Sequence, residues 1–173
     1  ILHNLACEPE ILDLTNFLIS AGANIKWIGK RTCQIIGVNS LNETKYSVMG
    51  DRIEIGTFCV IATLAKGDLL IKNFDPKLIK TELNLLKKVG AKIKLFKNSI
   101  HFKGPERIKS IKNITTKEYP GFPTDLAPQF MVLFCKASGT SSITENIFQG
   151  RFLHAMELQR LGAKITIKNR TAK

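Results

Sequence analysis

The 173 residues predict an α/β fold assembled from a helix–glycine–strand unit that recurs about every seventy residues. Gly-Ala-x-Ile appears in SAGANI (20–25), KKVGAKI (87–93) and QRLGAKI (159–165), with Gly22, Gly90 and Gly162 spaced by 68 and 72 residues. Each copy follows apolar residues at helical spacing: Ile11, Leu14 and Phe17; Leu78, Leu83 and Leu86; Phe152, Met156 and Leu161. Each precedes a β-like run, IKWIG, IKLFK or ITIKN. A helix that turns at once into a strand needs a residue that accepts positive φ just past its end, which is the job this glycine does.

A second element repeats as well. Residues 51–74 align with 124–148, placing Phe58 and Phe130 72 residues apart, and Gly67 and Gly139 likewise. The spacing predicts helices over 53–65 and 126–137, apolar nearly all round and therefore buried. The other helix of each unit has a wet face, carrying Lys80, Lys87 and Lys88 or Glu157, Gln159 and Arg160. One unit cannot bury both faces of its sheet, so several must pack together. Ile1 falls near the end of one unit's strand and Lys173 partway into another, a phase that predicts a piece of a longer protein.

Composition, 44% hydrophobic and 23% charged, is that of a globular chain able to bury a core without disulfides or metal. It lacks an apolar run of membrane-spanning length or a secretory leader in ILHNLACEPE, so a soluble, cytosolic protein is expected. Cys7, Cys33, Cys59 and Cys135 lie 26, 26 and 76 residues apart, which is no metal-ligand spacing, and are expected to be buried free thiols. The net charge of +12 attracts phosphate-bearing partners, but 20 of the 26 basic residues are scattered lysines. Base-edge and bidentate phosphate recognition favours arginine, so a solvated basic surface is the plainer reading.

EYPGFPTDLAPQF (118–130) places one acid between a rigid proline turn and an apolar run. Pro120 and Pro123 fix their own φ and bias the preceding residues to extended conformations, so the loop should be ordered. Thr124 then reads as an N-cap and Asp125 as a first-turn acid, which the unpaired N–H groups of a helix start favour. On spacing alone this is simply a capped helix.

At MGDRIEIGTF (49–58), PGFPTD (120–125) and NIFQGRFLHAMELQRLGA (146–163), in order on a repeat of this period, the chain resembles the enolpyruvyl transferases along essentially its whole length. The resemblance implies two lobes of βα units arranged as inside-out α/β barrels with helices in the middle. Residues 1–48 would be the last unit of the first lobe, residues 49–173 units of the second, with a hinge near Gly50.

It implies transfer of the enolpyruvyl group of phosphoenolpyruvate to the 3-hydroxyl of UDP-N-acetylglucosamine, the first committed step of peptidoglycan synthesis in the bacterial cytoplasm. No cofactor, metal, membrane or nucleic acid is implied as a partner. Asp125 matches the family's aspartate at the hydroxyl, as an orienting group able to accept its proton. Ile147 matches a main-chain contact to the sugar. Arg151 matches a cleft arginine that stabilises phosphate or a neighbouring acid, and places His154 on the same helical face in a structural role. Asp51 occupies the position analogous to Asp125, and with Arg52 is expected to serve in capping and in ion pairing between lobes.

The chain departs from the family pattern at Leu126-Ala127-Pro128-Gln129, where Pro128 is tolerable only in the first helical turn, and at Gln149-Gly150, which loosens the cleft loop. The family's general acid, a loop cysteine or aspartate, has no counterpart among the four cysteines here. The chain alone is therefore expected to be inactive. A shikimate-pathway relative and a non-catalytic basic repeat module binding nucleic acid or protein stand as the other readings.

Overall fold

All three glycine stops end a helix in left-handed backbone, with Gly22 at φ +99°, Gly90 at +115° and Gly162 at +93°. The computed structural model describes residues 1–173, which divide into two compact units, Ile1–Gly50 and Asp51–Lys173.

The first unit consists of β1 (Leu2–His3), α1 (Pro9–Ser20), β2 (Asn24–Gly29) and β3 (Thr32–Ile36), its sheet antiparallel in the order β1-β3-β2. A long extended segment follows. Tyr46 packs edge-on against Phe17, its ring 5.6 Å away, and its hydroxyl donates to Asp13 Oδ1 at 2.8 Å, returning the segment to α1.

The second unit runs α2 (Arg52–Leu64), β4 (Asp68–Lys72), a 3-10 turn over Pro76–Ile79, α3 (Lys80–Lys88), β5 (Lys92–Phe96) and β6 (Ser99–Lys103). It continues through β7 (Ile114–Thr115), a 3-10 turn over Thr124–Leu126, α4 (Ala127–Cys135), β8 (Ile143–Thr144), α5 (Leu153–Arg160), β9 (Ile167–Lys168) and β10 (Thr171–Ala172). Its sheets have the orders β4-β6-β5 and β7-β8-β10-β9, with β7 and β8 parallel and the other pairs antiparallel. The repeat is thus visible as topology. In β1-β3-β2, β4-β6-β5 and β8-β10-β9 alike, a helix and its glycine feed a hairpin whose return strand pairs with an earlier strand.

The core of the second unit is formed by α2 and α4 with α3 and the inner sheet faces, around the fully buried Phe102, Phe130, Leu83, Leu86, Leu126 and Leu133. A Cβ on Gly56 would lie 2.5 Å from Leu126 Cδ1, so the glycine lets α2 close onto that leucine. Across the same contact Gln129 Nε2 donates to Thr57 Oγ1 at 3.0 Å, between residues 72 apart.

Both apolar helices form where the pattern predicts, yet neither is buried all round. Phe58 and Ile61 on α2 and Val132 on α4 are half exposed. Two cysteines also depart from expectation: Cys33 and Cys59 are buried, but Cys7 is half-buried and Cys135 exposed, and none of the four is in a disulfide. Burial pushes the Cys59 thiol up to about 12, which leaves it protonated and inert. No helix is long and apolar enough to cross a membrane.

Candidate functional site

The proline loop is ordered, as its residues require. Tyr119–Pro120 is a cis peptide, the Pro120 carbonyl accepts from Thr81 Oγ1 at 2.6 Å, and Lys117 N–H donates to the Phe122 carbonyl at 2.9 Å. The helix beyond it starts differently from the prediction. Residues 124–126 form a 3-10 turn, α4 begins at Ala127, and Pro128 falls in its first turn, where no N–H is needed.

Thr124 caps nothing. Its hydroxyl donates to Glu145 Oε2 at 2.5 Å, a bond strengthened by the charge of its acceptor. Asp125, one residue on, projects outward with its side chain 57% exposed and accepts from Arg151 Nη1 at 3.1 Å. The same guanidinium nitrogen reaches Thr124 Oγ1 at 3.4 Å, and its carbon stands 4.9 Å from the centre of the Phe148 ring. The sequence places Arg151 on a helical face with His154, but α5 begins at Leu153, with Phe152 as its N-cap. Arg151 therefore belongs to the loop, and its direction is set by Asp125 and Phe148.

Thr124, Asp125, Pro128, Gly150, Arg151, Leu153 and His154 line an open cleft of about 410 Å³. His154 Nε2 is buried at its edge without a hydrogen-bond partner, and burial, then the Arg151 charge, holds the imidazole below its usual range, so it is neutral at neutral pH. That leaves one acid, one cation and a neutral ring on the same opening.

Ile147 lies in the turn after β8, half-buried. Its N–H donates to Glu145 Oε1 at 2.8 Å, which leaves its carbonyl as the main-chain group free to accept from a ligand. Glu145 is the residue that motif reading passes over. It is 2% exposed, and its carboxylate accepts from Thr116 and Thr124 hydroxyls and from the Ile147 and Phe148 amides, at 2.5–3.0 Å. Burial pushes its carboxyl up, but the bonds from Thr124, Phe148, Thr116 and Ile147 together outweigh that and hold it below the usual range. The sequence signal is faint: an acid directly after the Ile143-Thr144 strand, flanked by polar residues that could as well be surface.

Asp51 has no such setting. Its carboxylate accepts from the Ile53 and Glu54 amides at 2.7 and 3.2 Å as the N-cap of α2. Arg52 is buried, 4.0 Å from Glu82 and with its guanidinium carbon 5.7 Å from the Tyr119 ring centre. No cluster of metal-ligating side chains is present.

A protein of Pelagibacter ubique named UDP-N-acetylglucosamine 1-carboxyvinyltransferase is 58% identical over 171 residues, 99% of this chain and 41% of that protein. One of the same name from Desulfosudis oleivorans is 48% identical over the same shares. The chain thus spans about two fifths of the length of these relatives. Among solved structures, the enolpyruvyl transferase NikO from Streptomyces tendae superposes with a TM-score of 0.82 at 23% identity, over 98% of this chain and 41% of that one. At that identity the likeness shows the fold, the α/β architecture of the enolpyruvyl transferases. Residues 1–173 match throughout the sequence profile of EPSP synthase (3-phosphoshikimate 1-carboxyvinyltransferase), and the chain belongs to that family.

Proposed function

We propose that the full-length protein carrying this chain transfers the enolpyruvyl group of phosphoenolpyruvate to the 3-hydroxyl of UDP-N-acetylglucosamine. High identity to relatives named for that substrate favours it over shikimate 3-phosphate. In this reading residues 1–48 belong to one lobe and 49–173 to the other, and the break between compact units at Gly50 supports the division. The protein would act in the bacterial cytoplasm, supplying cell-wall synthesis and through it cell shape and division.

The observation that carries the reading is an exposed carboxylate, Asp125, held 3.1 Å from a loop arginine on an open cleft. In the reaction the sugar oxygen bonds to the central carbon of phosphoenolpyruvate while the methylene carbon gains a proton. That carbon then loses a proton as phosphate departs and the double bond re-forms. Asp125 accepts the hydroxyl's hydrogen bond and orients its oxygen, taking the proton as the bond forms. Arg151 supplies positive charge beside it, where phosphate and the developing negative charge gather. The Ile147 carbonyl accepts from a sugar N–H or O–H. The acid that protonates the methylene carbon is not assigned to this chain.

The full-length protein should release phosphate from phosphoenolpyruvate only when UDP-N-acetylglucosamine is added. Asp125→Ala should lower turnover by about 10²–10⁴-fold, the range of a positioned proton acceptor, with unfolding nearly unchanged. Release driven by shikimate 3-phosphate instead would reassign the substrate, and normal turnover in the variant would remove Asp125 from the site. The 173-residue chain by itself should show no turnover.

A further inference from the structure

We propose that Glu145 is a positioning residue for this site, its buried carboxylate fixing both Thr124, next to Asp125, and the turn that presents Ile147. The inference rests on the enolpyruvyl-transfer reading.

Three stretches of chain converge on this one side chain. Thr116, just past β7, donates to Oε1 at 2.8 Å; Thr124, in the 3-10 turn, donates to Oε2 at 2.5 Å; and the Ile147 and Phe148 amides donate to Oε1 at 2.8 and 3.0 Å. Thr116 Oγ1 in turn accepts the Asn146 N–H at 2.8 Å, so three successive amides of the turn are tied to the Glu145–Thr116 pair. Glu145 is itself anchored, its N–H donating to the Arg170 carbonyl at 2.7 Å.

Only a carboxylate serves here. It offers two oxygens and no hydrogen, whereas glutamine offers one oxygen and turns an NH₂ towards groups already donating. Charge-assisted bonds are the stronger ones, and buried as these are they hold their donors tightly. The consequence falls on the cleft. Thr124 cannot rotate without breaking its bond to Oε2, and Asp125 is covalently next to it. The Ile147 carbonyl shares its peptide with the Phe148 N–H, so it cannot flip without breaking that amide's bond to Oε1 and keeps one direction. Glu145 touches no substrate in this arrangement and sets the geometry of two groups that do.

The full-length protein tests this with Glu145→Gln, Glu145→Asp, Thr116→Val and Thr116→Ser, read by steady-state kinetics, amide hydrogen exchange and thermal unfolding. A displacement on the order of 1 Å at a reacting group costs about 10²-fold. Glu145→Gln should therefore lower kcat by about 10–100-fold, more than it raises KM for the sugar nucleotide. Exchange of the Ile147 and Phe148 amides should rise at least about tenfold, while α2 amides keep their rates. Thr116→Val should fall in the same direction and Thr116→Ser should restore kcat to within about threefold, because serine keeps the hydroxyl.

Glu145→Gln turning over within about threefold of the wild type, or losing activity only in proportion to its unfolded fraction, overturns the proposal. A wild-type protein that releases no phosphate with UDP-N-acetylglucosamine defeats the functional reading instead. Faster exchange at Ile147 and Phe148 in that case would leave Glu145 a structural tie only, which also overturns positioning.

Discussion

The second unit contains two helix starts that are repeats of one another, and they use an aspartate and an arginine in opposite ways. At α2, Asp51 spends its carboxylate on its own helix, and Arg52 is buried against Glu82 and Tyr119. At α4, the turn has no side-chain cap, Asp125 stands half exposed, and its arginine arrives from a distant loop. The first arrangement is closed, with every charge committed to the fold. In the second, Thr124 is held by Glu145 in place of capping, and Asp125 is left facing a cleft. Where another group takes over the task of holding a helix start, its aspartate is left uncommitted to the cap.

This contrast can be broken in graded steps. The largest effects on stability should come from the closed start. Arg52→Ala leaves the Glu82 carboxylate buried without its cation and should cost about 3–5 kcal/mol in denaturant unfolding. Arg151→Ala, which opens an exposed pair, should cost about 0–1 kcal/mol. Equal costs would erase the distinction drawn between the two sites. Of comparable size is the pair of repeated phenylalanines, since Phe130 is fully buried and Phe58 is 49% exposed. Phe130→Ala should cost about 3–5 kcal/mol, and Phe58→Ala about 1 kcal/mol. A larger loss at Phe58 would show that its outer face is covered in solution.

Two buried glutamates sharpen the comparison through pH. Burial raises the Glu82 carboxyl, only partly offset by its own amide and Arg52, whereas hydrogen bonds lower that of Glu145. For Glu145 the stabilisation is complete above the ordinary carboxylate range and is lost as pH falls through its depressed value. For Glu82 the sign reverses: its contribution is best below the ordinary range and is lost as pH rises through its elevated value. Denaturation midpoints from acid to neutral pH should therefore show Glu82→Gln gaining on the wild type as pH rises, and Glu145→Gln losing ground. Parallel curves would refute the opposed environments. The smallest of these effects belongs to the cap. Asp51→Ala should cost about 0.5–2 kcal/mol, and Asp51→Asn much less, since asparagine caps about as well.

Much of the architecture is written locally. The glycine stops at 22, 90 and 162, the strands after them and the two apolar helices follow from periodicity and from the need for positive φ, which neighbouring residues decide. The ordered proline loop and the tolerance of Pro128 are local in the same sense. Local reading fails wherever a side chain chooses between a near and a distant partner. Thr124 has the sequence of an N-cap, but Glu145, 21 residues away, offers it a charged acceptor. Nothing in its neighbours shows that Arg52 will be buried beside Glu82 and Tyr119, which only folding brings to it.

The same division runs through the site. Sequence by itself determined the repeat, the family and the candidates Asp125, Ile147 and Arg151, because those depend on residue order and spacing. Tertiary structure alone decided that Asp125 and Arg151 meet at 3.1 Å, that the Ile147 amide is already taken, and that Glu145 is the buried acceptor shared by Thr124 and that amide. A hydrogen bond goes to whichever partner lowers the free energy most once both are desolvated, and which partners share a buried space is fixed only when the chain has folded.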